Sequence, residues 1–344
     1  MHYDIDIINP IDSRGWDDLL VSSREYTFFH TTAWAKVLWE TYHYRPLYFT
    51  LHNGNKLLAL IPMMEVKSIF TGLRGISLPF TDFCEPITAK GIHVQDIIEF
   101  VKEYGRKRGW KFIECRGGHY SGITAETSFY RHRLNLTLGT EQIFSRLRSN
   151  TRRNIKKAMR EGVEVDICRS LESVKEYCRL HYMARKRHGI PPQPRSFFKK
   201  IYEHIISKNM GLIALASYGK RNIAGSIFFN FKDKSVYKFG ASDSKYQHLR
   251  ASNLVMWEAI KFYAQNGCQS LCFGRTALDN IGLRRFKAGW GTDEQIISYY
   301  KYDLQQNVFV TETSLLRNSH RRIFRLMPIP LLKVLGSLLY KHIG

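Results

Sequence analysis

Between residues 148 and 162 the chain reads RSNTRRNIKKAMREG, in which Arg148, Arg152, Arg153, Lys156, Lys157 and Arg160 stand against a single acid, Glu161. Cations at this density suit one kind of chemistry, the holding of phosphate or another polyanion. On a helix over 143–161, Phe144, Leu147, Thr151, Ile155 and Ala158 or Met159 recur at three- and four-residue steps as an apolar stripe. Gly162 falls where a left-handed stop belongs. Arg152, Lys156 and Arg160 then share one row of the outer face, with Arg153 and Lys157 beside it. Like charges four residues apart repel by about 0.2–0.5 kcal/mol per pair, so a helix built only to be solvated would intersperse acids. The stretch is expected to be a packed helix whose outer face meets an anion, with a plain solvated face as the alternative. No helix-turn-helix or zinc-finger spacing accompanies it, so DNA reading is not expected; RNA, anionic lipid and phosphorylated small molecules stay open.

The whole chain shares the bias of this stretch, with a net charge of +22. Its 44% hydrophobic content is enough for real cores and excludes a disordered chain. A length of 344 residues suggests two domains. The boundaries read as 1–142, 143–305 and a basic tail at 306–344. The six cysteines show no disulfide-framework spacing, and Cys268 and Cys272 have no further ligands close in sequence, so no metal site is expected. MHYDIDIINPIDSRGW lacks a basic region followed by an apolar one, so no signal peptide is expected. No run of ~18 apolar residues predicts a membrane span.

Several elements must hold the basic stretch in place. DIDIINP alternates like a half-buried strand, and Trp34, Val37 and Leu38 share a helix face. Two apolar runs around HNGN predict a hairpin, with Asn53 and Gly54 supplying positive φ. VQDIIEFVKEYGRKRGW predicts a helix ending near Gly105 or Gly109, followed by a strand at KFIECRGG. In the second half, Ser170 caps a helix that Gly189 stops. A second helix, a three-stranded meander turning at Gly219-Lys220 and Lys232-Asp233, a helix over NLVMWEAIKFYAQNG, a short strand SLCFG and a last strand QIISYYKYDL follow. This order resembles the GNAT acyltransferase fold, and the first half carries a looser version of it. The fold class expected is α/β (α+β), with tandem GNAT-like domains whose mixed, mostly antiparallel sheets are flanked by helices.

The segments RSNTRRNIKKAMREGVEVD, ARKRHGI, LVMWEAIKFYAQNG and LRRFKAGWG, in that order, resemble the FemABX-type peptidoglycan-bridge aminoacyltransferases. More closely they resemble the FemAB-related, GNAT-like proteins of bacterial exopolysaccharide operons. The resemblance runs from about residue 28 to 303. It implies two GNAT-like domains, with transfer of an aminoacyl group from a charged tRNA to an amine on a diphosphate-bearing envelope precursor. Both substrates are polyanions. Within LPFTDFCEP the resemblance puts a substrate-binding acid on Asp82, and within RFKAGWG a functional lysine on Lys287. Within FFHTTAWAKVLWE the family's precursor-binding lysine falls on Leu38, leaving Lys36 one turn-edge away as the substrate-binding candidate.

Aminolysis of an ester or thioester needs a neutral amine, a stabilised oxyanion and an in-line approach. Asp82 is suited to orient or deprotonate the amine, and Lys287 to stabilise the oxyanion or leaving group. Both also have plain readings, Asp82 as a turn residue and Lys287 as an exposed lysine. Acyl-CoA enzymes of GNAT type carry Q/R-x-x-G-x-G/A before a helix. Here QHLRAS keeps Gln247 but puts Arg250 and Ser252 in place of the glycines, where side chains block close backbone approach to a pyrophosphate. Arg250 still suits another phosphate; alternatively, Ser252 caps a helix from Asn253. Arg152, Arg153, Lys156, Tyr246 and Arg275 complete the substrate-binding candidates. Arg116 and His119 in CRGGHY are a further pair suited to line a cleft. No H-E-x-x-H, Walker loop or G-x-S-x-G occurs.

The tail TETSLLRNSHRRIFRLMPIPLLKVLGSLLYKHIG is apolar between Leu326 and Leu339, with Pro328 and Pro330 interrupting it. It is expected to lie at a membrane interface with Arg321, Arg322 and Arg325 at the headgroups, or to dock as a helix on a domain. The leading expectation is an aminoacyl- or acyltransferase acting on a peptidoglycan or exopolysaccharide precursor, lipid-linked or nucleotide-linked. It would be cytoplasmic and peripheral on the inner membrane face, with no tightly bound cofactor and with aminoacyl-tRNA or acyl-CoA as donor. The rivals are an acyl-CoA-dependent N-acyltransferase of exopolysaccharide synthesis and a non-catalytic RNA- or membrane-binding adaptor.

Overall fold

The computed structural model describes residues 4–118, 120, 123–311 and 320–343. His119 lies outside them. The chain divides by contact into a first unit, residues 1–129, 296–314 and 338–344, and a second unit, residues 130–295 and 315–337.

The first unit opens with β1 (Asp6–Ile8), α1 (Trp16–Val21) and α2 (Thr32–Tyr42). Trp34, Val37 and Leu38 form the fully buried face of α2, Thr31 caps it by accepting from the Trp34 N–H, and a left-handed His43 ends it. β2 (Arg45–Asn53) and β3 (Lys56–Ser68) form the HNGN hairpin, with Asn53 opposite Lys56. The turn is thus Gly54-Asn55, and of the pair expected to take positive φ only Gly54 does. β4 (Gly72–Ile76), β5 (Ile87–Thr88), α3 (Val94–Arg108) and β6 (Phe112–Arg116) follow. α3 runs through Gly105 and stops at Gly109, φ 76°. Phe49, Ile61, Met63, Val101, Trp110 and Ile113 fill the core against the sheet. Each such burial contributes about 1.5–3 kcal/mol.

The second unit takes β7 (Thr127–Asn135) from residue 130 onward, then α4 (Thr140–Arg146), α5 (Ser149–Arg160), β8 (Glu164–Cys168), α6 (Leu171–His188) and α7 (Arg195–His204). The single helix expected over 143–161 is two. Leu147 and Arg148 adopt extended ψ values of 143° and 148° between α4 and α5. The break lets the Arg148 N–H donate to the Gly289 carbonyl at 3.0 Å while Leu147 is buried. Thr151, Ile155 and Ala158 form the buried stripe of α5, and Gly162 follows it with φ 79°.

The meander is β9 (Gly211–Tyr218), β10 (Arg221–Phe231) and β11 (Lys234–Ser242); then come α8 (Ala251–Gln265), β12 (Ser270–Ala277) and α9 (Ile281–Ala288). The strand order in this unit is β7-β12-β11-β10-β9-β8. β11 and β12 are parallel and paired only from Lys234–Val236 to Ser270–Cys272. Beyond those three pairs β11 runs on to Ser242 and β12 to Ala277 without a shared register.

β13 (Asp293–Asp303) and β14 (Val308–Val310) follow. Tyr299–Asp303 of β13 pair antiparallel with β6, which is why residues 296–305, expected in the second domain, belong by contact to the first unit. Residues 130–142, expected in the first domain, belong to the second unit. The tail forms α10 (His320–Leu326), set against α6, and α11 (Ile329–Ile343). Among the described residues no helix is long and apolar enough to cross a membrane.

Candidate functional site

Lys287 is 2% exposed, on the inner face of the short helix α9. Its ammonium donates to the main-chain carbonyls of Gly274 at 3.1 Å and Arg275 at 2.9 Å. Both carbonyls belong to β12 just past its parting from β11. Gly274 sits at φ 67°, a left-handed kink in the strand. Helix α9 is positioned by Asn280, whose side chain accepts from the Leu283 N–H, and by Trp290, which is fully buried in the core below. Thr151 of the basic helix lies against Gly289, where a Cβ would come 2.6 Å from its hydroxyl oxygen.

One turn before Lys287, Arg284 grips both oxygens of Glu294 at 2.7 and 2.8 Å and lies 3.9 Å over the Tyr130 ring. His132 of β7, with no exposed surface, brings Nε2 to 3.0 Å from the same carboxylate. Burial, reinforced by the positive charge of Lys287, pushes the His132 pKa down, against the pull of Glu294. The bonds from Arg284 hold Glu294 below the usual carboxylate range. Within the second unit the arrangement is a buried ammonium, a neutral imidazole and a clamped carboxylate. His132, Arg284 and Glu294 were not among the sequence candidates. The alternation in SFYRHRLN puts His132 on the same face as buried Leu134, and an imidazole on a core face is a signal that pattern reading can catch.

The remaining candidates of this unit are cations along its surface and the half-buried Tyr246. Arg152 is half-buried and donates to the Ser145 carbonyl, while Arg153 and Lys156 are exposed along α5. Arg275 is exposed on β12. Arg250 is the exposed N-cap of α8 with φ 59°, so α8 begins at Ala251 and Ser252 lies inside its first turn rather than capping it. Tyr246 lies in a 3-10 turn, half-buried, with the Arg221 guanidinium 5.8 Å above its ring.

In the first unit Asp82 is half-buried in the loop after β4, and its carbonyl accepts from Tyr299 OH at 2.6 Å. Leu78 and Phe80, just before it, have φ of 50° and 60°. Such left-handed backbone at residues with a Cβ costs about 1–3 kcal/mol each and needs a firm surround. Here Ser77 N–H donates to Glu114 O at 2.8 Å and Thr81 Oγ1 to Leu78 O at 2.6 Å. Arg116 is buried and ion-paired with Glu114 at 2.6 Å. Lys36 is half-buried on α2, where its charge acts on the Asp17 carboxylate.

Residues 145–288 match the family model of the acetyltransferase (GNAT) domain. No curated protein sequence matches the chain. Among solved structures, FemX aligns at a TM-score of 0.70 and 12% identity, over 88% of this chain and 98% of that one. A tandem GNAT protein from the clavulanic acid biosynthesis pathway aligns at 0.56 and 8%, over 88% and 98%. The C-terminal domain of a protein from Agrobacterium fabrum named as a lysylphosphatidylglycerol synthetase aligns at 0.55 and 12%, over 82% and 90%. Residues 145–288 thus form a domain of the acetyltransferase (GNAT) kind. The fold of the chain is FemX-like, mixed α/β with mostly antiparallel sheets flanked by helices.

Proposed function

We propose that the protein transfers an acyl or aminoacyl group to an amine on a cell-envelope precursor, of peptidoglycan or exopolysaccharide, at the inner face of the cytoplasmic membrane. The observation that carries this reading is the buried Lys287 ammonium, held on β12 where that strand leaves β11 inside the GNAT-type domain. In the reaction a neutral amine attacks the donor carbonyl. A C–N bond forms, the ester C–O or thioester C–S bond breaks, and the amine's surplus proton ends on the departing hydroxyl or thiol. A fixed positive charge in a dry site favours the oxyanion of the tetrahedral intermediate over the uncharged carbonyl. Lys287 supplies that charge, and the two carbonyls that hold it keep it from reorganising.

Both donor classes carry phosphates, which suit Arg152, Arg153 and Lys156 on α5. Arg250 favours aminoacyl-tRNA over acyl-CoA, since its side chain stands where a glycine would admit a pyrophosphate to the helix start. A FemX-like fold and the likeness to a lysylphosphatidylglycerol synthetase support aminoacyl transfer and a lipid-attached acceptor. The test is transfer of labelled amino acid from charged tRNA, or of labelled acetyl from acetyl-CoA, to isolated envelope precursors. Label from tRNA, abolished by ribonuclease and reduced about a hundredfold in Lys287→Met, is expected. Ribonuclease-resistant transfer from acetyl-CoA would select the acyl-CoA reading, and RNA or membrane binding with no transfer from either donor would select the adaptor.

A further inference from the structure

A cavity of about 1000 Å³ lies within the second unit between α6, α7 and α11. Its apolar lining includes Val174, Cys178, Tyr182, Pro194, Phe198 and Val334, with Gln193, Ser196 and Ser337 among the polar residues beside them. Burial lifts the Cys178 thiol to about 12, so it stays protonated and adds to the apolar floor. Among the described residues no carboxylate lines the cavity, whereas Lys175, Arg179, Arg195, Lys199 and Lys333 do. Three of these cations have partners on their own helices: Lys175 with Glu172 at 3.3 Å, Arg179 with Glu176 at 2.7 Å and Lys199 with Glu203 at 3.6 Å. Among the described residues Arg195 and Lys333 have no carboxylate partner; the Lys333 ammonium lies 4.4 Å over the Tyr182 ring. None of these groups belongs to the site described above.

The wall made by α11 has a second property. Val334 lines the cavity and is still 58% exposed, and Leu331, one turn earlier, is 57% exposed. On α10, Ile323 and Leu326 are exposed at 58% and 85%. Arg322, Arg325 and Lys333 lie among these side chains, and residues 315–344 contain no Asp or Glu. Apolar surface left open beside cations with no carboxylate partner among the described residues, next to a cavity partly lined by apolar side chains, matches an amphiphile with a negative head. A nucleic acid would use the cations and leave the apolar depth empty.

We propose that this groove binds one acyl chain of an anionic phospholipid, with the lipid phosphate held by Arg195 and Lys333. The inference deepens the reading of the protein as membrane-peripheral and rests on it for its place in the cell. The binding itself needs neither a bilayer nor an acyl donor.

The closing experiment uses the full chain and a short-chain lipid below its micelle concentration, dihexanoylphosphatidic acid, followed by calorimetric titration. Wild type is expected to bind it about tenfold or more tighter than inorganic phosphate or dihexanoylphosphatidylcholine. Val334→Trp, at an exposed position on the groove wall, and Arg195→Ala/Lys333→Ala are each expected to weaken binding about tenfold with an unchanged melting temperature. Equal binding of inorganic phosphate would reduce the groove to an anion site and overturn the proposal. So would unaltered binding by Val334→Trp, or farnesyl phosphate binding about tenfold tighter than the phosphatidic acid. Flotation with phosphatidylcholine vesicles containing phosphatidic acid tests the membrane reading separately: Arg322→Glu/Arg325→Glu losing nothing there sinks that reading, and monomer binding still decides the groove.

Discussion

Lys287 shows how one side chain can serve a fold and a reaction at once. Replacing it with Met leaves the buried Gly274 carbonyl and the part-buried Arg275 carbonyl without their donor, and a buried group so orphaned costs about 1–3 kcal/mol. Urea unfolding of Lys287→Met is expected to show a loss of about 2–4 kcal/mol, and activity per folded molecule must therefore be compared below the onset of unfolding. His181 makes a prediction in pH. Its ring is buried, with Gln193 Oε1 at 2.9 Å, and burial together with the Arg185 charge drops its pKa from 6.5 to about 3. The folded state therefore binds fewer protons than the unfolded one between these values. Its contribution is fully present above 6.5 and is lost as pH falls toward 3. His181→Phe is expected to flatten the fall in unfolding free energy between neutral pH and pH about 4. Glu65 acts lower down. Burial raises its carboxyl pKa, but the Arg108 pair and the Trp110 indole outweigh that and hold it below 4.5. Stability from Glu65 is present above that value and lost below it, so Glu65→Gln should remove part of the acid limb in a pH series of melting curves.

At the scale of elements, the ends of α6 and the stop of α5 were legible because their causes are local. Ser170 accepts from the Ser173 N–H, and Gly189 closes α6 at φ 66°. The HNGN hairpin and the meander turns at Gly219 and Lys232 follow the same logic. The break between α4 and α5 was not legible, because its cause is the Gly289 carbonyl, distant in the chain. α11 is set by a close approach of the same long-range kind. A Cβ on Gly336 would run into the carbonyl of Pro192, so Gly336→Ala should lift the helix from the 191–194 segment. Limited proteolysis is expected to cut the C-terminal helix faster in Gly336→Ala, with a melting temperature lower by several degrees; an unchanged cleavage rate would mean the contact is not what holds α11.

For the whole molecule the net charge of +22 governs encounters. Affinity for tRNA is expected to fall steeply with added salt, and Arg153→Glu/Lys156→Glu should both weaken it and shallow the salt slope in filter binding. A slope unchanged by that double substitution would take α5 out of the binding surface. What the sequence determined by itself is what repeats over a few residues: strand alternation, the apolar stripe of α5, the caps, and from their order the GNAT-like architecture. Resemblance brought Asp82 and Lys287 forward, but composition and spacing say nothing of how an ammonium is held. Only the tertiary structure seated Lys287 on two carbonyls of β12, brought Glu294 to His132 and Arg284, and walled a groove with α6, α7 and α11. The physical reason is range. A cap or a stripe is decided by neighbours along the chain, whereas a buried charge, a clamped carboxylate and a cavity are decided by segments that approach only when the sheet has formed.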